Sequence, residues 1–193
     1  MSLIIHPQEK IVEDFDFCGV KIELVEWTDT VWCGKIGYAE DNEGEPEVEK
    51  IMNAYRAADH GAVIGAEKDW SACLSLNYHT AGRPNGLMVC DLVESAAQPS
   101  GFDVLKVPAG RYMRLRICDE AASALGYEPW HGGIPPFSWI EDRIAPALGY
   151  GYGSEELPVI EYYGFFNPNT FEHEYRYLYV PVANRAGVVL TGG

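Results

Sequence analysis

Two pairs of β-rich runs in this chain are joined by connections too short to hold a crossover helix, and this limits the fold more than any other feature. Trp70 to Tyr78 and Leu87 to Glu94 flank Thr80-Ala-Gly-Arg-Pro-Asn-Gly86, whose Gly, Pro and Asn-Gly are strong turn formers. Pro158 to Phe166 and Tyr175 to Val182 flank a turn containing Asn167-Pro168-Asn169. Parallel neighbours need a long crossover connection, so each pair is expected to be antiparallel.

A strand and then a helical pattern precede each pair. In the first half, Phe17 to Gly37 alternates, with Val20, Ile22 and Leu24 on one face and Lys21, Glu23 and Val25 on the other. Asp41 to Ala58 follows with an acidic turn, Pro46 at a first-turn position, and Val48, Ile51, Met52 and Tyr55 at helical spacing. In the second half, after the linker Ser95 to Ser100, one strand is expected through Phe102 to Ile117. A helix is then expected around Pro135 to Leu148, with Phe137, Ile140, Ile144 and Leu148 on one side. The order strand–helix–strand–strand is thus written twice, without enough identity between the halves to count as a repeat. The expected class is α+β: two such units in pseudo-twofold arrangement, one curved antiparallel sheet, two main helices and a central cleft. The expected boundaries are an N-terminal extension at 1–16, the domain at 17–182 with units at about 17–95 and 101–182, and a C-terminal tail at 183–193.

At 193 residues and 47% hydrophobic, the chain can bury one substantial core. Its formal charge of −15 opposes phosphate backbones and anionic lipid, so neither direct nucleic-acid binding nor a membrane partner is expected. The five cysteines (Cys18, Cys33, Cys73, Cys90, Cys118) are scattered and form no C-x-x-C, which suits a reducing cytoplasm and points to neither disulfides nor zinc. The histidines have no metal-ligand spacing, and no nucleotide or cofactor fingerprint is present; Gly149 to Gly153 lacks the lysine that a phosphate loop needs. No cofactor and no metal are expected. Met1 to Lys10 does not read as a secretory signal, and no apolar run approaches the ~20 residues that span a bilayer.

Four pieces in order carry a family resemblance. They are Gly101-Phe102 leading to Val107-Pro108-Ala109-Gly110-Arg111-Tyr112, the helix from Trp139 with its Gly149-Tyr150 end, Pro158-Val159-Ile160-Glu161-Tyr162-Tyr163, and Tyr177-Leu178-Tyr179-Val180-Pro181-Val182. Together, over Gly101 to Val182, the chain resembles the GyrI-like family, the effector-binding domain attached to many bacterial AraC-type and MerR-type transcription activators. The resemblance implies the pseudo-twofold fold reached above and a cleft that captures small molecules. It also implies a glutamate four residues before the proline of the last strand, which meets cationic ligands or assists hydrolysis of cyclopropane-bearing genotoxins. Here that position is Tyr177. A tyrosine keeps an aromatic face and a hydroxyl but brings no charge, and its ordinary pKa of ~10 makes it a poor base.

Tyr175, Tyr177 and Tyr179 share one face of their strand, and with Tyr112, Tyr163, Trp130 and Trp139 they are expected to contact a flat ligand. The other reading is that tyrosines favour strands and cover core. Glu161 is a further ligand-binding candidate and, with His131, a candidate catalytic group; a salt-bridged Glu161 and a surface His131 are the alternatives. His79 has the same ambiguity. Trp130 and His131 lie in the Gly- and Pro-rich stretch Gly126 to Pro136, which reads as a lid or a plain loop. With no segment of helix-turn-helix size before Phe17 or after Val182, the expected function is a stand-alone binding protein for a hydrophobic or aromatic ligand, cations included, serving sensing or sequestration. The alternatives are a hydrolase of strained rings and an acidic protein that docks on gyrase or another protein partner.

Overall fold

The computed structural model of the chain describes residues 9–39, 48–66, 72–126, 140–153, 155–164 and 175–184. Ten strands among them are β1 (Glu9–Phe17), β2 (Val20–Trp27), β3 (Thr30–Tyr38), β4 (Ala72–Leu76), β5 (Gly86–Val93), β6 (Asp103–Val107), β7 (Gly110–Arg116), β8 (Tyr150–Tyr152), β9 (Val159–Gly164) and β10 (Tyr175–Asn184). They form one antiparallel sheet in the order β1-β2-β7-β10-β9-β4-β5-β3-β6, with β8 added to β10. The sheet is curved and does not close; β1 and β6 are its edges.

The twofold plan lies in this order. Helix α1 (Val48–Ala57) sits between β3 and the hairpin β4–β5, and these strands lie side by side as β4-β5-β3. In the second unit β7, β9 and β10 lie as β9-β10-β7, the same sequence of roles. The units meet at β4 and β9, where Ala72 faces Tyr162 and Leu74 faces Ile160. The hairpin β4–β5 is as expected, with the short helix α2 (Tyr78–Ala81) wound into its connection.

Three expectations are corrected. The single strand from Phe102 to Ile117 is two strands, because Pro108 has no N–H to give a ladder. β6 joins the first unit, with Val107 opposite Thr30, while β7 joins the second, with Gly110 opposite Trp27. The Asp29 carboxylate accepts a 2.7 Å hydrogen bond from the Ala109 N–H and fastens this corner. The run Phe17 to Gly37, expected as a long first strand or a hairpin arm, is two strands, β2 and β3, which turn at the same corner and pair with other strands, β2 with β1 and β7 and β3 with β5 and β6. In the second unit, α3 (Asp119–Leu125), outside the expected helix, starts with Asp119 and Glu120 at its positive end and stops at the left-handed Gly126; of the helix expected around Pro135 to Leu148, the described part is a π turn at Ile140–Ile144 leading into α4 (Ala145–Ala147), and Phe137 lies outside the described residues.

β1 falls in the stretch expected to be an extension. It pairs with β2 through the two-residue turn Cys18-Gly19, in which both residues have positive φ (54° and 79°), the geometry that fits the twist of a tight hairpin.

The sheet's two faces are covered differently. On one, α3, Ile140, Ile144 and Ala145 pack on Ile22, Leu24, Met113, Leu115, Leu178 and Val180 of β2, β7 and β10. On the same face of the first unit, Ile51, Met52 and Tyr55 of α1 pack on Val89. The expected apolar stripe of α1 is thus buried except Val48, which is exposed. The opposite face has one cluster of buried residues drawn from eight strands of both units and from Leu157, with Ile11 of β1 and Ala81 of α2 packed against it. Side chains from distant strands meet there because the sheet curls toward that side, which makes it the concave face.

Candidate ligand site

Alternation along the strands decides what the concave face holds. β2 directs Glu23, Val25 and Trp27 to it, β7 directs Tyr112 and Arg114, β9 directs Ile160 and Tyr162, and β10 directs Tyr177 and Tyr179. Aromatic rings make up much of it. Trp27 stacks on Trp32 at a centroid distance of 6.0 Å and makes edge contacts with Tyr179 at 5.4 Å and Tyr112 at 6.5 Å. Tyr112 and Tyr179 meet edge to face at 6.2 Å. The Trp32 indole N–H donates to the Thr30 hydroxyl at 3.0 Å. The Tyr112 hydroxyl, on a residue only 1% exposed, has no hydrogen-bond partner among the described residues. Its burial pushes the phenol pKa above the ordinary value, so it is a neutral donor near pH 7.

A charged cluster lies in the same face. Arg114 is fully buried, and its Nε and Nη2 each approach the Glu23 Oε2 at 2.7 Å. Its Nη1 donates to Glu9, and the Tyr179 hydroxyl donates to the other oxygen of Glu9 at 2.7 Å. The guanidinium carbon lies 4.8 Å from the Tyr177 ring centroid and 5.9 Å from that of Tyr179. Burial alone would weaken the charged guanidinium, but Tyr179, Glu9 and Glu23 outweigh it and hold its pKa above the usual range. Lys21 reaches Glu23 from the solvent side at 3.1 Å. Tyr177, where the sequence resemblance implies a glutamate, is therefore the roof over a guanidinium, while the carboxylates of this face come from β1 and β2.

At the edge of the sheet where the β2–β3 and β6–β7 corners meet, a groove of about 710 Å³ opens; Glu26, Arg111, Val182 and Asn184 reach it from the helix-covered side of their strands, and Trp27 from the concave side. Trp27, Ala109 and Val182 contribute apolar lining, and Arg111, Glu26, Lys10 and Asn184 polar lining. Arg111 is held by Glu26 at 2.5 Å and by the Asn184 side-chain oxygen at 2.9 Å. The volume suits a drug-sized molecule. Trp27 belongs to both groove and aromatic stack, so it separates the opening from Tyr112, Tyr179 and Arg114.

The expected site residues divide accordingly. Tyr112, Tyr177 and Tyr179 come together on the concave face. Glu161 and Tyr163 point to the opposite face, where Glu161 faces Cys73 and Leu178 and pairs with Arg176 at 3.4 Å. Burial raises the Glu161 pKa, opposed by a hydrogen bond from Tyr163 and by the charge of Arg176. Only the backbone of Tyr175 is described, and Trp130, His131 and Trp139 lie outside the described residues. His79 is exposed and pairs with Glu155 at 2.7 Å. Sequence reasoning missed Glu9, Glu23, Arg114 and Trp27. A signal for two of them was present: Arg114 lies between Met113 and Leu115, and Glu23 between Ile22 and Leu24, charges inside apolar runs. Among the described residues, no three His, Cys, Asp or Glu side chains gather as a metal site needs.

No protein-family model and no curated protein matches the sequence. Solved structures do match in fold. One is SAV2435 bound to tetraphenylphosphonium, 13% identical, with a TM-score of 0.53 over 84% of this chain and 93% of that one. Another is the C-terminal domain of EcmrR, 13% identical, with a TM-score of 0.51 over 86% and 99% of the two chains. A third is a putative bacterial transcription regulation protein from Staphylococcus aureus MU50, 12% identical, with a TM-score of 0.50 over 86% and 100%. At these identities the likeness concerns architecture, and that architecture agrees with the strand order and paired units described above: the chain has the GyrI-like fold.

Proposed function

We propose that this chain is a small-molecule-binding protein of the effector-binding type, whose ligand is an apolar, flat or aromatic compound taken up at the groove beside Trp27. The carrying observation is that a groove large enough for such a ligand is lined in part by Trp27, whose indole belongs to the buried aromatic stack. The ligand stacks on Trp27, and when Trp27 moves off its edge contact with Tyr112 it gives the buried Tyr112 hydroxyl an acceptor. One fold neighbour was solved with tetraphenylphosphonium bound, which supports the reading for a domain of this architecture. Hydrolysis draws no support from Glu161, which is committed to Arg176 and Tyr163 on the other face.

A thermal-shift panel of neutral, cationic and anionic aromatic compounds tests this. A ligand that binds only the native state at about 100 times its Kd adds ~2.7 kcal/mol, roughly 5 to 11 °C for a domain of this size. A panel in which no aromatic compound moves the melting temperature of the wild type contradicts the proposal.

A further inference from the structure

The arrangement around Arg114 is that of a receptor for a guanidinium ion. Two carboxylates lie at its rim: Glu23 takes two N–H groups of one edge, and Glu9 takes one from Nη1. The Tyr177 ring lies within cation–π range of the guanidinium carbon, and the Tyr179 ring lies nearby at 5.9 Å. The Tyr179 hydroxyl orients Glu9 through a 2.7 Å hydrogen bond. Glu9, Glu23 and Arg114 are each 5% exposed or less, so the charges interact with little solvent between them. The four receptor groups come from three strands, β1, β2 and β10, whereas the cation comes from a fourth, β7.

A plain surface ion pair does not need this. One carboxylate and an open side chain would suffice, and no aromatic faces would be required. Two buried carboxylates and two rings around one cation form a cage with more recognition than stability demands. We infer that Glu9, Glu23, Tyr177 and Tyr179 form a guanidinium-binding cage that the chain fills with its own Arg114, and that this resident cation makes the adjacent ligand site select uncharged over cationic compounds. A second cation arriving at the aromatic face finds both carboxylates already engaged, Glu9 and Glu23 by Arg114 and Glu23 also by Lys21, so its lost hydration is not replaced by an ion pair. The selectivity half of the inference rests on the ligand-binding reading above; the cage half does not.

Arg114→Ala empties the cage and leaves both carboxylates, and it is expected to lower the melting temperature by roughly 6 to 20 °C. Methylguanidinium at millimolar concentration, far below denaturing levels, should restore the loss in a saturable manner, while methylammonium and sodium at equal concentration should not. Wild type should show no such rise, because its cage is full. Arg114→Gln, closer in size, serves as the second variant if the alanine form does not fold, and Glu9→Gln added to either variant should weaken the rescue. A variant that folds, in either form, and shows no rescue specific to guanidinium overturns the cage. In the second arm, wild type is titrated with triphenylphosphine oxide and with tetraphenylphosphonium, which are alike in bulk and differ in charge. Binding of the neutral compound alone is expected, and equal or tighter binding of the cation overturns the selectivity. If neither compound binds, the ligand-binding reading fails while the rescue result still decides the cage.

Discussion

Replacing Tyr112 with phenylalanine separates stability from binding at one atom. The hydroxyl is removed from water on folding and gains no partner among the described residues, so wild type bears a desolvation cost of ~1 to 3 kcal/mol that the variant does not. The ring stays, and with it the edge contacts to Trp27 and Tyr179. Tyr112→Phe should therefore leave the ligand-free protein as stable as wild type or more so, by up to about 3 kcal/mol, a rise of at most ~12 °C. Binding should move the other way. A neutral hydrogen bond from this hydroxyl to a ligand is worth ~0.5 to 1.5 kcal/mol, so Kd should rise by roughly 2- to 12-fold. Urea denaturation without ligand and a fluorescence titration with the strongest compound of the panel read the two quantities. A variant destabilised by more than about 1 kcal/mol would mean that the hydroxyl is satisfied in the free protein, and the argument for its use by a ligand would collapse.

Other parts of the structure give sharper stability tests. The folded Glu161 carboxyl has a pKa raised above its usual 4.5, so the folded state holds that proton more tightly than the unfolded chain. The stability this confers is complete below the unfolded value and lost as pH rises through the folded one. Glu161→Gln cannot titrate, and its stability relative to wild type should rise as pH increases from the unfolded carboxyl value of 4.5 through the raised folded one; denaturation curves giving a pH-independent difference would contradict the burial argument. Gly34 is packed so that an added Cβ would lie 2.0 Å from the Val89 carbonyl oxygen and 2.7 Å from the Cys90 Cα, so Gly34→Ala should cost about 3 kcal/mol in urea denaturation, and a neutral result would mean that β3 and β5 are not in this register. The Tyr55 hydroxyl lies 2.8 Å from the buried Asp91 carboxylate, joining α1 to β5; Tyr55→Phe should cost ~1.5 to 3 kcal/mol by the same assay, and no loss would count against that contact.

What could be read in the sequence follows from the range of the interactions involved. Both hairpins and α1 are legible because their turn residues and the spacing of Ile51, Met52 and Tyr55 are local signals. The break at Pro108 was visible as a residue yet not as a consequence, since its effect is to send β6 and β7 to partners about 70 to 90 residues away, Thr30 and Trp27 among them. β1 was hidden because its turn places Cys18 where Asn or Asp usually gives the signal. At the site, alternation correctly put Tyr177 and Tyr179 together, and it also held the information that Glu161 and Tyr163 face away from Tyr162. The position that resembles the family glutamate was legible as Tyr177, but the carboxylates of the cleft were not, because Glu9 and Glu23 reach it only through the pairing of β1 with β2 and of β2 with β7.

The central claim is that an aromatic ligand binds against Trp27. Intrinsic fluorescence of wild type and Trp27→Phe, titrated with the strongest neutral aromatic compound from the thermal-shift panel, tests it most directly. Saturable quenching is expected in wild type and should be largely lost in Trp27→Phe, together with a weaker Kd. Equal quenching and equal affinity in both proteins would place the ligand elsewhere and contradict the account.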